Sequence, residues 1–240
     1  MKAAISIFLI AASLSCQAQR GFFAAGDVSY STYNMKQMGD FQTTLKLTTP
    51  VTLKEVHRFP AWWGNGLSAG YSWSEWGSGA GMVYNFNTTG GRLDNEDYSG
   101  IVRIDQLMTS NSLGAFCQLA IVESRTWPVF IGFSTSLVIT KLKLSQQVNV
   151  GGQSQSENYI FNSSNLGMRM WFSVRRNFRN AFLHAGIGYE AQATGKLYLN
   201  NSTTIYLNNG GKPITAEWGG LRATIGAGIH LRKNKKQDNE

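Results

Sequence analysis

The chain has 240 residues, a length within reach of one β-sheet domain, and only 15% of them are charged. Soluble domains usually carry about 25% charged residues, so the composition argues against a surface that is wetted on all sides. The net charge of +8 is compatible with anionic partners. However, no aromatic residues interleave with the basic residues of the C-terminal tail, and we therefore predict no nucleic-acid partner.

Residues 1–18 have the features of a secretory signal peptide. A basic N-terminus precedes an apolar run from Ala3 to Leu14, and the small residues Cys16 and Ala18 place a cleavage site before Gln19. The apolar run is too short to cross a bilayer as a helix. The sequence therefore predicts export of the chain.

The two cysteines lead to one alternative. Lipidation at Cys16 would replace simple cleavage, although Ser13 stands where lipoprotein signals usually carry leucine. Cleavage before residue 19 leaves Cys117 as the one cysteine, so the exported chain can form no intramolecular disulfide.

Alternation of apolar and polar residues predicts β-strands along most of the remaining chain. Nine segments show this period of two: Gly21–Ser31, Trp63–Glu75, Gly79–Thr89, Gly100–Thr109, Leu113–Glu123, Val129–Leu144, Leu166–Arg176, Ala181–Leu199 and Trp218–Leu231. In the last segment Leu221, Ile225 and Ile229 share one face, while the other face is polar and rich in glycine. We interpret the apolar face as directed at lipid and the polar face as directed at a barrel lumen.

Residues 33–60 leave the strand count open. Thr43–Val56 is rich in Thr, Leu and Val and could be a tenth strand, which suits the even strand number of bacterial barrels. Met35, Met38 and Phe41 have a spacing closer to a helical turn, which would make this segment a loop helix. We favour ten strands and keep eight, with one of the nine segments miscounted, as the alternative.

The connections differ in length. Short ones at 76–77, 124–126 and 176–180 are predicted as periplasmic turns, and the polar stretches 146–158 and 200–216 as external loops. The stretch 90–97 is predicted as a polar loop. Six tryptophans near segment ends are interpreted as an aromatic girdle at the membrane interfaces: Trp62, Trp63, Trp73, Trp76, Trp127 and Trp218. Trp171 is in lumen phase and is expected to fill the interior.

The alternating segments LGMRMWFSVR (Leu166–Arg175) and LRATIGAGIHL (Leu221–Leu231) carry a resemblance to a known class. The chain resembles the small OmpA-like and OmpX-like β-barrel proteins of the Gram-negative outer membrane. The resemblance implies an all-β, antiparallel transmembrane barrel over residues 19–232, followed by a charged tail at 233–240. It also implies an outer-membrane location, with membrane lipid and the barrel-assembly machinery as partners. One departure is the tail itself, because such proteins usually end on a terminal aromatic residue.

Charged side chains in lumen phase are the candidate functional residues. They are Asp27, Arg103, Asp105, Arg169, Arg175, His184, Glu190 and Arg222. Because unpaired charges are costly in a narrow lumen, we predict a paired polar network that plugs the barrel. A small-solute pore lined by the same residues is the alternative.

Residues for catalysis are sparse. His184 and Glu190 share a face but lie about 20 Å apart along one strand, and no His or Cys pair has metal-ligand spacing. His57, with Glu55 or nearby serines, leaves an outer-membrane lipid hydrolase as a third possibility. We therefore predict no catalytic, cofactor or metal site, and a non-enzymatic barrel that acts through its external loops or as an envelope component.

Overall fold

The computed structural model describes residues 21–98, 100–124, 126–151, 153–178, 180–193, 195–200 and 202–231. The predicted signal peptide at 1–18 and the charged tail at 233–240 lie outside the described residues. The described part contains one helix and twelve strands, two of which form the small hairpin β10–β11. In chain order the elements are β1 (Gly21–Ser31), α1 (Lys36–Thr48), β2 (Lys54–Arg58), β3 (Trp62–Ser72), β4 (Gly79–Asp97), β5 (Gly100–Val122), β6 (Val129–Val150), β7 (Gln153–Asn177), β8 (Ala181–Gln192), β9 (Tyr198–Leu199), β10 (Asn208–Asn209), β11 (Lys212–Pro213) and β12 (Gly220–Leu231).

Eight of the strands close into a ring. The order around the barrel is β1, β3, β4, β5, β6, β7, β8 and β12, and β12 pairs again with β1. Every neighbouring pair is antiparallel. This confirms the predicted all-β antiparallel barrel. It has eight strands, the alternative that the sequence left open, rather than ten.

Two segments account for the difference in strand count. Gly100–Thr109 and Leu113–Glu123, which the alternation separates, belong to the single strand β5. The proposed tenth strand, Thr43–Val56, instead begins as the last turns of α1 and ends in β2. β2 pairs with β4 outside the ring.

The outer face of the ring is an apolar belt. On β7 the exposed residues run from Leu166 to Val174 at every second position, all of them apolar. That length of nine residues is close to the 9–11 residues that a tilted strand needs to cross a bilayer. Leu221, Ile225 and Ile229 continue the same exposed surface on β12. The protein is therefore a transmembrane barrel with its apolar side chains directed outward.

The two ends of the barrel differ in construction. At the end where β1 begins and β12 finishes, the strands are joined by short connections at 73–78, 123–128 and 178–180. At the opposite end the β4–β5 and β6–β7 hairpins continue far beyond the belt. The stretches 90–97 and 146–158 are therefore mostly strand rather than loop. Their outward positions are polar because water, not lipid, surrounds them there.

Helix α1 lies over this second end of the barrel. Its buried residues Met38 and Phe41 are three positions apart and so share a face, which packs in a cluster with Phe59 and Trp218. Gln42 from the same helix donates a hydrogen bond of 2.8 Å to the carbonyl of His57 in β2. The helix thus covers the lumen at this end, and this bond holds it to β2. Among the described residues, no helix combines the length and hydropathy needed to cross a bilayer.

Candidate functional site in the barrel lumen

The structure separates the eight predicted lumen residues into two groups. Six have side chains on the inward face of the ring: Asp27, Arg169, Arg175, His184, Glu190 and Arg222. The prediction for Arg103 and Asp105 is wrong, because both lie on the outer face of β5. Arg103 is bonded to Asp94 at 3.3 Å, and Asp105 accepts a hydrogen bond from Arg92 at 2.5 Å.

The error has a physical cause in the upper half of β5. Val102 and Ile104 point inward there and form a buried cluster with Leu53 and Leu93. Above the lipid belt the outside of the barrel is wet and the inside is an ordinary apolar core, so the meaning of the alternation is reversed. Alternation alone gives the two faces of a strand but not its height relative to the membrane.

The upper lumen is crossed by a buried ion pair. The Arg222 Nε lies 2.7 Å from a carboxylate oxygen of Glu190, and the two side chains are only 2% and 9% exposed. Arg222 also donates hydrogen bonds to Asn87 at 2.8 Å and to Ser31 at 3.2 Å. Sequence reasoning did not single out these two partners, although Asn87 stood in the lumen phase of its strand.

Trp218 closes the lumen above this ion pair. Its side chain is fully buried, and the indole Nε1 donates a hydrogen bond of 2.9 Å to the Thr140 hydroxyl. The Tyr33 ring packs edge-on against the indole at 5.0 Å, and burial raises the pKa of the Tyr33 hydroxyl. The prediction that Trp218 belongs to the interfacial girdle is therefore wrong. Trp63 and Trp127, in contrast, are exposed at opposite ends of the belt.

The lower lumen is filled by aromatic rings around an arginine. The Arg175 guanidinium carbon lies 4.2 Å from the Phe182 ring centroid, 4.6 Å from that of Phe130 and 5.9 Å from that of Phe23. Cation–π contacts of this kind are stronger when they are desolvated. Trp171 also points inward, as predicted, and lies 5.6 Å from the Arg169 guanidinium.

Inward-facing glycines make room for these large side chains. A Cβ added at Gly228 of β12 would overlap the Phe182 ring, and one at Gly132 of β6 would overlap the indole of Trp171. The glycine-rich inner face of the closing strand is thus the counterpart of the bulky inner faces of β7 and β8. Neighbouring strands therefore contribute a small and a large residue to the same layer, since Gly228 is paired with Phe182 and Gly132 with Trp171.

Between the two layers lies a cavity of about 90 Å³. Asp27, Arg169, Arg175 and His184 line it, together with hydroxyl and amide groups and with apolar side chains such as Phe116. The structure therefore brings four of the predicted residues to one cavity. It separates them from the Arg222–Glu190 ion pair above.

The third possibility, a lipid hydrolase, concerns a groove of about 540 Å³ on the outside of the barrel. His57, Asp105 and Ser145 all line this groove. However, Asp105 accepts from Arg92, and the Ser145 hydroxyl donates to Asn158 at 2.7 Å. No hydrogen bond joins these three side chains within the described ranges.

In the part of the chain that the structure describes, no three His, Cys, Asp or Glu side chains come together as a metal site. Cys117 is exposed on the outer face of β5, in the apolar phase that its strand predicts.

The chain has low similarity to several solved structures. No protein-family model matches the chain, and no curated protein does. Among solved structures, the chain is similar to Neisserial surface protein A, with 13% identity over 88% of this chain and 97% of that one, at a TM-score of 0.36. It is also similar to Ail, the attachment invasion locus protein of Yersinia pestis, with 13% identity over 88% of this chain and 98% of that one, at a TM-score of 0.34. This likeness assigns no function to the barrel.

Proposed function

We propose that this protein is a non-enzymatic outer-membrane barrel with a closed lumen, which acts through the region that projects beyond the lipid belt or as an envelope component. The observation that carries this proposal is the filled interior. One layer contains the Arg222–Glu190 pair beneath Trp218, and a second contains Arg175 among aromatic rings. A solute would have to displace both layers to pass.

Barrel size supports the closed lumen. Eight strands enclose an interior just wide enough for side chains, whereas channels need much larger rings. The cavity of about 90 Å³ between the two layers is about the volume of three water molecules. These dimensions favour a structural plug over the small-solute pore.

The outer membrane is the location that best fits this architecture. Bacterial barrels of this kind carry both termini and short turns on the periplasmic side and longer elements outside. The short connections at 73–78, 123–128 and 178–180 lie at the same end as both termini of the ring. Export by the signal peptide at 1–18 and insertion by the barrel-assembly machinery complete this proposal.

The projecting region is the part that a partner outside the cell would meet. It comprises the upper β4–β5 and β6–β7 hairpins, α1, β2 and the segment before β12. Its outer surface carries basic and acidic groups, including Arg92, Asp105 and Lys143. The chemical variety of this surface, compared with the uniform belt below it, favours recognition there rather than in the lumen.

Electrical recording tests the closed lumen directly. Wild-type protein reconstituted in planar lipid bilayers is expected to show no steady single-channel currents, because both layers block the path. A Trp218→Ala and Arg175→Ala double variant supplies the matched control, since it shortens one large side chain in each layer and should conduct measurably. Large and steady currents from the wild type would overturn the plug in favour of the pore.

A further inference from the structure

Arg175 is buried without an opposite charge. Its side chain is 5% exposed, and its contacts are with the ring faces of Phe23, Phe130 and Phe182. No ion pair or side-chain hydrogen bond links the guanidinium to any other residue within the described ranges. A guanidinium has five N–H donors, and a buried charge normally requires a partner. Aromatic faces neither accept all five of these hydrogen bonds nor supply an opposite charge.

The distribution of charge in the lumen identifies this residue as the unbalanced one. The inward-facing charged groups of the ring below Trp218 are Arg169, Arg175, Arg222, Asp27 and Glu190. Arg222 pairs with Glu190, and Arg169 lies within electrostatic range of both carboxylates. Among the described lumen residues the arginines therefore outnumber the carboxylates by one, and no carboxylate acts electrostatically on Arg175.

The cavity beside Arg175 has the size and lining for a small anion. Its volume is about 90 Å³, enough for one monatomic ion with one or two waters but too small for an organic acid. Gln118, Ser134 and Ser173 line the cavity and offer further N–H or O–H donors. Asp27 lies in the same cavity and would repel an anion, but Arg169 stands there as its counter-charge.

Access to this cavity is shortest from the end of the barrel that carries the termini. Arg175 is two residues from the end of β7, and a Cβ added at Gly77 in the 73–78 turn would lie 3.1 Å from its Nη1. The turn therefore lies directly against the guanidinium. Above the cavity the Arg222 layer and Trp218 close the path.

We propose that this cavity binds one small monovalent anion, of the size of chloride, against the Arg175 guanidinium. The anion neutralises the excess charge and accepts hydrogen bonds that the described residues leave unmade. In this role it is a structural ion of the lumen, bound from the periplasmic side. It does not require the lumen to conduct.

Halide-dependent stability tests this site. The folded barrel in a nonionic detergent is unfolded in urea at constant ionic strength, with sodium chloride or bromide exchanged for sodium gluconate, which is too large for the cavity. Above the dissociation constant of the site, the ratio of folded to unfolded protein should rise about tenfold for each tenfold increase in chloride. Equal midpoints in chloride and gluconate would mean that water alone solvates the guanidinium and would overturn the proposal.

Two variants at neighbouring positions locate the effect. Arg175→Gln removes the inward charge, so its midpoint should no longer depend on halide. Arg176→Gln is the matched control: Arg176 lies 4.9 Å from the ring of Trp127 at the end of the belt, and its removal should leave the halide response intact. A full response in Arg175→Gln would place the ion elsewhere.

Crystals of the wild type grown in bromide should also show an anomalous peak in contact with the guanidinium. A featureless cavity at saturating bromide would likewise contradict the site.

Discussion

The role of a charged residue in this barrel depends on the burial of its side chain as well as on its chemistry. Arg103 and Arg222 are both arginines bonded to a carboxylate, but Arg222 is 2% exposed and Arg103 is 33% exposed at the side chain. Exposed ion pairs contribute little to stability, whereas a buried pair is expensive to break from one side. The same residue type is therefore structural in the lumen and dispensable on the outer surface.

Neutralising one carboxylate in each kind of pair tests this distinction. Glu190→Gln leaves Arg222 buried without its counter-charge and should lower the free energy of unfolding by about 3–5 kcal/mol. Asp105→Asn removes the partner of exposed Arg92 and should cost less than about 1 kcal/mol. Urea unfolding followed by tryptophan fluorescence measures both. Similar losses in the two variants would show that burial does not set the cost.

The lipid-facing side of the closing strand gives a second residue-level prediction. Ile225 is 65% exposed on the belt, so Ile225→Arg would place a charge in the hydrocarbon layer and should cost about 2–4 kcal/mol. Thr224→Ser, one residue away on the inward face, keeps the hydroxyl that donates to the Gly186 carbonyl at 3.4 Å. Equal yields of folded barrel and equal unfolding midpoints for the two variants would contradict the orientation of β12.

The candidate site could be predicted from the sequence only in part. Arg169 and Arg175 were assigned to the lumen correctly because the outward positions of β7 from Leu166 to Val174 are all apolar, so the two faces of this part of the strand are unmistakable. Arg103 was misassigned because its strand leaves the membrane. The alternation of apolar and polar residues does not show where the strand passes from lipid into water. The partners of Arg222 and the hydrogen bond of Trp218 to Thr140 connect residues far apart in sequence. Local patterns contain no information on such pairs.

Among the elements, β5 and α1 show where local pattern and environment disagree. β5 is one strand of 23 residues that crosses from lipid into water, and its apolar face changes sides at that boundary. The sequence therefore shows two segments of opposite phase where the backbone has one. α1 forms where β-prone Thr and Leu residues suggested a strand, because its apolar residues at helical spacing have a buried surface to pack against.

The packing of α1 can be tested with two substitutions on the same helix. Met38 is fully buried and Leu47 is 79% exposed. Met38→Asp should detach the helix from the barrel, because a carboxylate would otherwise be buried in the apolar cluster. Leu47→Asp should leave the helix in place. Limited proteolysis followed by mass spectrometry is the measurement, with faster cleavage between residues 36 and 58 expected in Met38→Asp only; comparable cleavage in both variants would contradict the packing.

The molecule as a whole has two cores of opposite design. Within the membrane the interior holds charged and polar side chains among aromatic rings and the exterior is apolar, while in the projecting region an apolar cluster that includes Leu53, Leu93 and Ile104 is buried inside. The all-β class and the barrel were predictable because the belt dominates the sequence pattern. The distance by which the hairpins project beyond the lipid belt was not predictable, because a water-exposed strand and a loop have the same polar composition.

Ring closure leads to a prediction for the intact protein. Each strand of the ring has hydrogen-bonded neighbours on both sides, and such closed barrels have no free edge from which unfolding could start. In detergent the unheated protein should therefore stay folded and migrate differently from a boiled sample on an electrophoresis gel. Identical migration, or recovery of the protein from the soluble fraction of cells, would contradict a membrane barrel.

The seam of the ring also sets the order of events during biogenesis. β1 and β12 are joined across 189 positions of sequence, for example by the bond from the Thr32 amide to the Leu221 carbonyl. The ribosome must therefore finish the chain before the first strand can meet its last neighbour. Until then both strands present an unpaired edge, which readily joins edges of other chains. Closure over so long a separation is slow, so these edges stay open to wrong pairings until the seam has formed.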